Sequence, residues 1–173
     1  RNGGDISKLT NAPELKELTI NGSVKWSDPS AVHLGIRKLK IEGNWRDWMH
    51  LEYNIDIIKQ FPNVEEIDLE QVAPTQTLID DLGNCKELRA LRFWFQKGRN
   101  RGIAPNDVQQ VDFWPLTQLK QLRHLKMYRV SKATDWSFLA DLQQLEDVEI
   151  TPHQGHMIFQ QRHYQGAVDN WKK

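Results

Sequence analysis

One repeated pattern constrains this chain more than any other feature. The motif LxxLxL, read loosely, occurs six times in 173 residues, starting at Leu15, Ile36, Val64, Leu88, Leu122 and Leu145. Its second apolar positions are Leu18, Leu39, Ile67, Leu91, Leu125 and Val148, and its third are Ile20, Ile41, Leu69, Phe93, Met127 and Ile150. At 39% hydrophobic composition, apolar matches alone prove little. The gaps decide the matter: every intervening position is polar except Ala90. Alternation at period two buries Leu18 with Ile20 and turns Glu17 and Thr19 to solvent, as in a strand with one buried face. A single unit of this kind cannot bury its apolar face, but stacked neighbours can.

The segments that precede the motif repeat as well. DISKLTNAPELKELTI (5–20), DFWPLTQLKQLRHLKM (112–127) and DWSFLADLQQLEDVEI (135–150) align without gaps, each opening on Asp: Asp5, Asp112 and Asp135. The next apolar offsets also agree, at Leu9 and Ala12, Leu116 and Leu119, and Leu139 and Leu142. Ile58 with Phe61 and Leu82 with Cys85 fit the same columns. The second unit departs from them, offering Ser30 and His33. Thr75 or Thr77 can cap a helix running to Leu82 with Gly83 as its stop. Leu51, Ile55 and Ile58 recur at helical spacing.

Over residues 5–152 the chain resembles the leucine-rich repeat family, with a unit similar to the irregular, internalin-like bacterial repeats. That resemblance implies an α/β fold: a short, uneven solenoid with about six parallel strands on its concave face and partly helical return segments. The Asn that the family usually places two residues beyond the strand motif is matched only by Asn44. Unit spacings of 21, 28, 24, 34 and 23 residues are also irregular. Residues 1–152 are therefore expected to form the repeats, with an insertion at 96–110. Residues 153–173 are expected to form a C-terminal cap, since Met157, Gln161, Tyr164, Val168 and Trp171 follow helical steps. No comparable cap precedes Asp5, and a chain opening on Arg1 rather than Met is expected of a fragment or a processed product.

Chemistry is sparse. Lys+Arg and Asp+Glu each number 23, so formal net charge is zero. Neutrality disfavours a nucleic-acid partner, whose binding surface is normally basic. No apolar run reaches the roughly 20 residues of a bilayer span, so no membrane partner is expected. One cysteine, Cys85, excludes an internal disulfide and favours a cytoplasmic or other intracellular setting. Cys85 falls in an apolar column, which suits a buried thiol better than a nucleophile. His153, His156 and His163 lack the further ligands of a metal site. No nucleophile motif, phosphate loop or dinucleotide fingerprint occurs. The expectation is a non-enzymatic protein without cofactor or metal. The Asn21-Gly22-Ser23 sequon is a weak match for a glycosylation site.

The outward strand positions are the informative surface. By unit they are Glu17, Thr19, Asn21; Lys38, Lys40, Glu42; Glu66, Asp68, Glu70; Ala90, Arg92, Trp94; His124, Lys126, Tyr128; and Asp147, Glu149, Thr151. Charge runs in bands, and cross-strand pairs such as Lys40–Asp68–Arg92 and Lys126–Glu149 account for much of it. Trp94 and Tyr128 fall at matching positions beside Arg92, Lys126 and His124, a composition typical of interface hot spots. Two arrangements are open: an exposed binding patch, or Trp94 covered by the 96–110 loop. That loop carries Lys97, Arg99 and Arg101, an arm suited to an acidic partner surface. The other tryptophans, among them Trp114, Trp136 and Trp171, are expected to fill gaps between uneven units. Trp45 and Trp48 are expected to do the same, with a second binding patch as the alternative. The expected function is binding of a protein partner through the strand face. The alternatives are the substrate-recognition portion of a larger enzyme such as a ligase, or a toxin-neutralising or inhibitor protein. The oligomeric state is not legible.

Overall fold

A computed structural model describes residues 4–22, 24–43, 57–72, 75–95, 111–130, 135–152 and 159–162. In chain order the strands are β1 (Gly4–Asp5), β2 (Glu17–Asn21), β3 (Val24–Lys25), β4 (Lys38–Glu42), β5 (Glu66–Val72), β6 (Ala90–Phe95), β7 (His124–Val130), β8 (Asp147–Pro152) and β9 (Phe159–Arg162). A single α-helix among the described residues, α1, spans Gln76–Gly83. β1 and β3 form a small parallel pair, and the main sheet runs β2-β4-β5-β6-β7-β8-β9.

The six strands from β2 to β8 in that order are parallel neighbours, and their register is the alignment of the motifs. Leu18 pairs with Leu39, then Ile67, Leu91, Leu125 and Val148 in succession. Ile20, Ile41, Leu69, Phe93, Met127 and Ile150 form a second row. Both rows are buried except Leu18, which sits half-buried on β2, at the edge of the sheet. A one-residue slip would turn both rows to water, so burial locks the register. The ladder starts before the strands: Arg37 N–H donates to Lys16 O, Glu65 to Arg37, Arg89 to Glu65, Arg123 to Arg89 and Glu146 to Arg123, at 2.7–2.8 Å.

Each unit returns through a tight turn whose hydrogen bonds repeat. In the fifth unit Leu116 N–H donates to Phe113 O, Leu119 to Leu116 and Leu122 to Leu119, at 3.0–3.1 Å. The first, third and sixth units repeat this chain of i→i−3 bonds. The resulting 3₁₀ segments are Ser7–Asn11, Ile58–Gln60, Trp114–Gln118 and Ser137–Asp141. The aligned aspartates now acquire a purpose. Asp5 accepts from Ser7 N–H at 3.0 Å, Asp112 from Trp114 N–H at 2.8 Å and Asp135 from Ser137 N–H at 2.8 Å, satisfying a donor that the turn leaves free.

The second unit solves the same problem differently. His33, 1% exposed, occupies the column that holds Leu119 and Leu142 elsewhere. Its Nδ1 accepts from Gly35 and Ile36 N–H, both at 3.2 Å, and its Nε2 donates to Ala12 O at 3.0 Å. The imidazole thus replaces apolar packing with hydrogen bonds. Gly35 beside it has no room for a side chain, since a Cβ there would lie 2.1 Å from Pro13 O.

Thr75 is the cap of α1, accepting from Leu78 N–H at 3.1 Å. α1 does end at Gly83, as expected, and the glycine also serves packing. Its backbone is not left-handed, and a Cβ there would lie 2.6 Å from Pro115 O, so glycine lets α1 pack on the next turn. The C-terminal expectation requires correction. Residues Phe159–Arg162 form a strand rather than part of a capping helix, pairing antiparallel with β8 so that Asp147 faces Arg162 and Ile150 faces Phe159. β8 would otherwise present unpaired backbone groups along its edge, and a strand satisfies them where a helix cannot. Met157, Tyr164, Val168 and Trp171 lie outside the described residues, as do Trp45, Trp48, Leu51 and Ile55.

The tryptophans divide. Trp136 is buried and stacks on Phe113 with ring centroids 6.0 Å apart. Trp26 meets Phe61 edge-on at 5.4 Å. Trp114 does not fill a gap as expected: it is 52% exposed, because Leu116 and Leu119 of its turn already occupy the core columns. No helix among the described residues is long and apolar enough to cross a membrane.

Candidate functional site

None of the outward strand positions is buried, so one face of the sheet presents polar and aromatic side chains to solvent. A shallow depression of about 390 Å³ lies over the first and middle outward positions of five strands, bordered by Lys40, Asp68, Arg92, His124 and Lys126. It stops short of Trp94 and Tyr128, which lie further along β6 and β7.

Register places Trp94 opposite Tyr128, and their rings sit 5.5 Å apart at an interplanar angle of 44°. Both are half-buried. The Arg92 guanidinium lies over both rings, 5.8 Å from the indole centroid and 5.9 Å from the phenol, within range of a cation–π attraction. Tyr128 Oη donates to Glu149 Oε2 at 3.0 Å. Burial, and then that carboxylate, push the Tyr128 phenol up, so it stays a donor.

Among the described residues, the Lys and Arg side chains that make the patch look basic in sequence are engaged. Arg92 pairs with Asp68 at 3.0 Å and Glu70 at 3.4 Å. Lys126 lies 3.4 Å from Asp147 and 3.8 Å from Glu149. Lys40 contacts Glu42 at 2.6 Å and Glu70 at 3.6 Å, and the hydrogen bond to Glu42 leads in raising its ammonium. Lys40 faces Asp68 in register, yet its shortest contacts are with carboxylates at the next outward position. These partly exposed pairs are each worth roughly 0.2–1 kcal/mol, so they orient side chains more than they hold the sheet together. Asp68 is the exception in environment. Burial raises its carboxyl above the usual range in spite of Arg92, and its Oδ1 has no hydrogen-bond partner among the described residues.

Of the residues marked by sequence, Lys40, Asp68, Arg92, Trp94, Lys126 and Tyr128 therefore form one connected surface. His124 lies at the start of β7, exposed and opposite Asp147, four residues from Tyr128 and away from the rings. Arg99 and Arg101 lie outside the described residues. Glu70 and Asp147, which help neutralise the cations, were not singled out, although the outward rows already placed Glu70 beside Trp94; Glu149 was expected as the partner of Lys126 but not of Tyr128.

Little reactive chemistry accompanies this face. Among the described residues no group of three or more His, Cys, Asp or Glu side chains is placed to hold a metal ion. The Cys85 thiol is buried, donates to Asp81 O at 3.5 Å, and is pushed up to about 12 by burial and by the Asp81 charge. A thiol so held is protonated and inert at neutral pH. The three C-terminal histidines lie outside the described residues. Compared with known proteins, the sequence matches no protein-family model and no curated protein.

Proposed function

We propose that this chain is an irregular leucine-rich-repeat solenoid that binds a protein partner through its outward strand face, with Trp94 and Tyr128 at the centre of contact and no catalytic role of its own. The repeat reading is supported by six consecutive parallel strands in motif register and by return turns with recurring hydrogen bonds. The binding reading rests on one observation. Two large aromatic rings stand in contact at the surface of a sheet whose other outward side chains are mostly charged or small and polar. Neither ring belongs to the hydrophobic core cluster of the described residues. Rigid rings flanked by Arg bury much area at low entropic cost, which is what an interface centre needs.

Affinity capture from native extract, with Trp94→Ala and Tyr128→Ala as paired baits, tests this. A partner bound by the native chain should weaken by about 2 kcal/mol or more with either variant, near thirtyfold in Kd. Urea unfolding of each bait confirms that the fold survives. A well-folded double variant that retains every captured protein at native strength ends the proposal.

A further inference from the structure

The aromatic pair does not stand alone across the sheet. Glu70 on β5 faces Trp94 on β6, Trp94 faces Tyr128 on β7, and Tyr128 is held by Glu149 on β8. The order across four strands is carboxylate, indole, phenol, carboxylate. Outward positions carry seven carboxylates against four Lys or Arg, although the whole chain has 23 of each charge. Every one of those four cations already lies between two carboxylates: Lys38 between Glu17 and Glu66, Lys40 between Glu42 and Glu70, Arg92 between Asp68 and Glu70, and Lys126 between Asp147 and Glu149. The opposite balance occurs one step before the strands, where Lys16, Arg37, Arg89 and Arg123 outnumber Glu65 and Glu146. By outward row the strands carry three carboxylates to one Lys, then two carboxylates to three Lys or Arg, then two carboxylates and no cation in the row of Trp94 and Tyr128, at the far end of the strands. Among the described residues of the outward face, an acidic partner would meet no Lys or Arg that lacks a carboxylate. A cationic partner would meet carboxylates with spare acceptor capacity, and ring faces that already accommodate a guanidinium at 5.8 and 5.9 Å.

We infer that this end of the face binds a basic, extended polypeptide segment. This rests on the reading of the strand face as the binding face and names its partner. Three strand spacings of about 4.8 Å, with the two-residue offset of Glu149 from the Tyr128 row, separate the flanking carboxylates by roughly 16 Å at the backbone, which an extended chain rising about 3.4 Å per residue covers in four to five residues. The segment therefore carries Arg or Lys at positions i and i+4 or i+5, with an apolar or aromatic residue between them that lies on Trp94 and Tyr128. The cations set orientation and on-rate, and the covered rings supply affinity.

The test is selection of random dodecapeptides displayed on phage against the immobilised full chain, with subtraction on the Trp94→Ala variant. Selected peptides are then synthesised and measured by fluorescence anisotropy on the native chain and on the Glu70→Gln/Glu149→Gln double variant. In that variant the amide oxygen introduced by Glu149→Gln still accepts from Tyr128, and urea unfolding checks that both variants remain folded. Trp94-dependent peptides should be basic, with paired Arg or Lys four or five apart, and should lose about fivefold or more in affinity on the double variant. Trp94-dependent peptides that are neutral or acidic, or basic ones indifferent to the double variant, overturn the basic-partner inference while leaving the binding face standing. A selection that yields no Trp94-dependent peptide overturns both.

Discussion

Replacing His33 by Leu sets repeat logic against structure. In sequence the substitution looks like a repair, because Leu fills that column at Leu119 and Leu142. The structure predicts a loss. Ile36 N–H can fall back on the residue-33 carbonyl, as Leu122 does on Leu119 O. Ala12 O keeps its other donor, Leu15 N–H at 3.0 Å. Gly35 N–H has no such alternative, and Gly35 is buried. Leaving that donor unsatisfied costs about 1–3 kcal/mol, and the lost bond from Nε2 adds about 1 kcal/mol. Leu recovers roughly half of this through apolar burial, since little new surface leaves water at a site already 1% exposed. The net expectation is a destabilisation of about 1–2 kcal/mol. At a urea m-value of about 2 kcal/mol/M, the midpoint falls by roughly 0.5–1 M with the slope unchanged. Tryptophan fluorescence during urea unfolding measures it. His33→Asn, which keeps an acceptor near Nδ1 but cannot reach Ala12 O, should fall between the two. A Leu variant as stable as the native chain, or more so, would refute the claim that hydrogen bonding and not packing selects this residue.

Three further outcomes are expected. Gly83→Ala should destabilise by about 1–2 kcal/mol, because a Cβ 2.6 Å from Pro115 O and 3.0 Å from its carbonyl carbon outweighs the helix-propensity gain of up to about 1 kcal/mol; thermal unfolding reads the sign. Asp135, held below its ordinary 3.8 by the Ser137 backbone and hydroxyl, contributes stability that is present above pH 3.8 and lost as pH falls through its lower folded value. Denaturant unfolding between pH 5 and about 2 should therefore decline less steeply for Asp135→Asn, which retains an acceptor for Ser137 N–H without titrating, and an unchanged slope would argue against the assignment. Cys85 should resist a thiol reagent such as DTNB at pH 8 in the native chain and react fully in unfolding urea; prompt native labelling would contradict its burial.

Much of this fold is legible one unit at a time. Alternation at period two is a local property, and parallel pairing of like units follows once each must bury the same face, so Leu18, Leu39, Ile67, Leu91, Leu125 and Val148 could be placed in one row before any coordinates. The aspartates at 5, 112 and 135 were visible as a repeat, but their service to the turn backbone was not, since a motif does not display its hydrogen bonds. The end of the sheet was misread for a similar reason. Helical spacing from Met157 to Trp171 says nothing about the open edge of β8, whose backbone demand Phe159–Arg162 meets.

The candidate site divides in the same way. Sequence placed Trp94 against Tyr128, because register alone sets which residues face each other. It did not decide the charge of their surroundings. Lys and Arg side chains are long enough to pass their direct opposites and reach diagonal carboxylates, as Lys40 does past Asp68 to Glu70. By itself, then, the sequence determined the six parallel strands, their order and their register, all consequences of short-range periodicity and burial. Only the tertiary structure decided which charges cancel, why His33 interrupts an apolar column and why Gly83 must lack a side chain, since each depends on atoms brought together from different units.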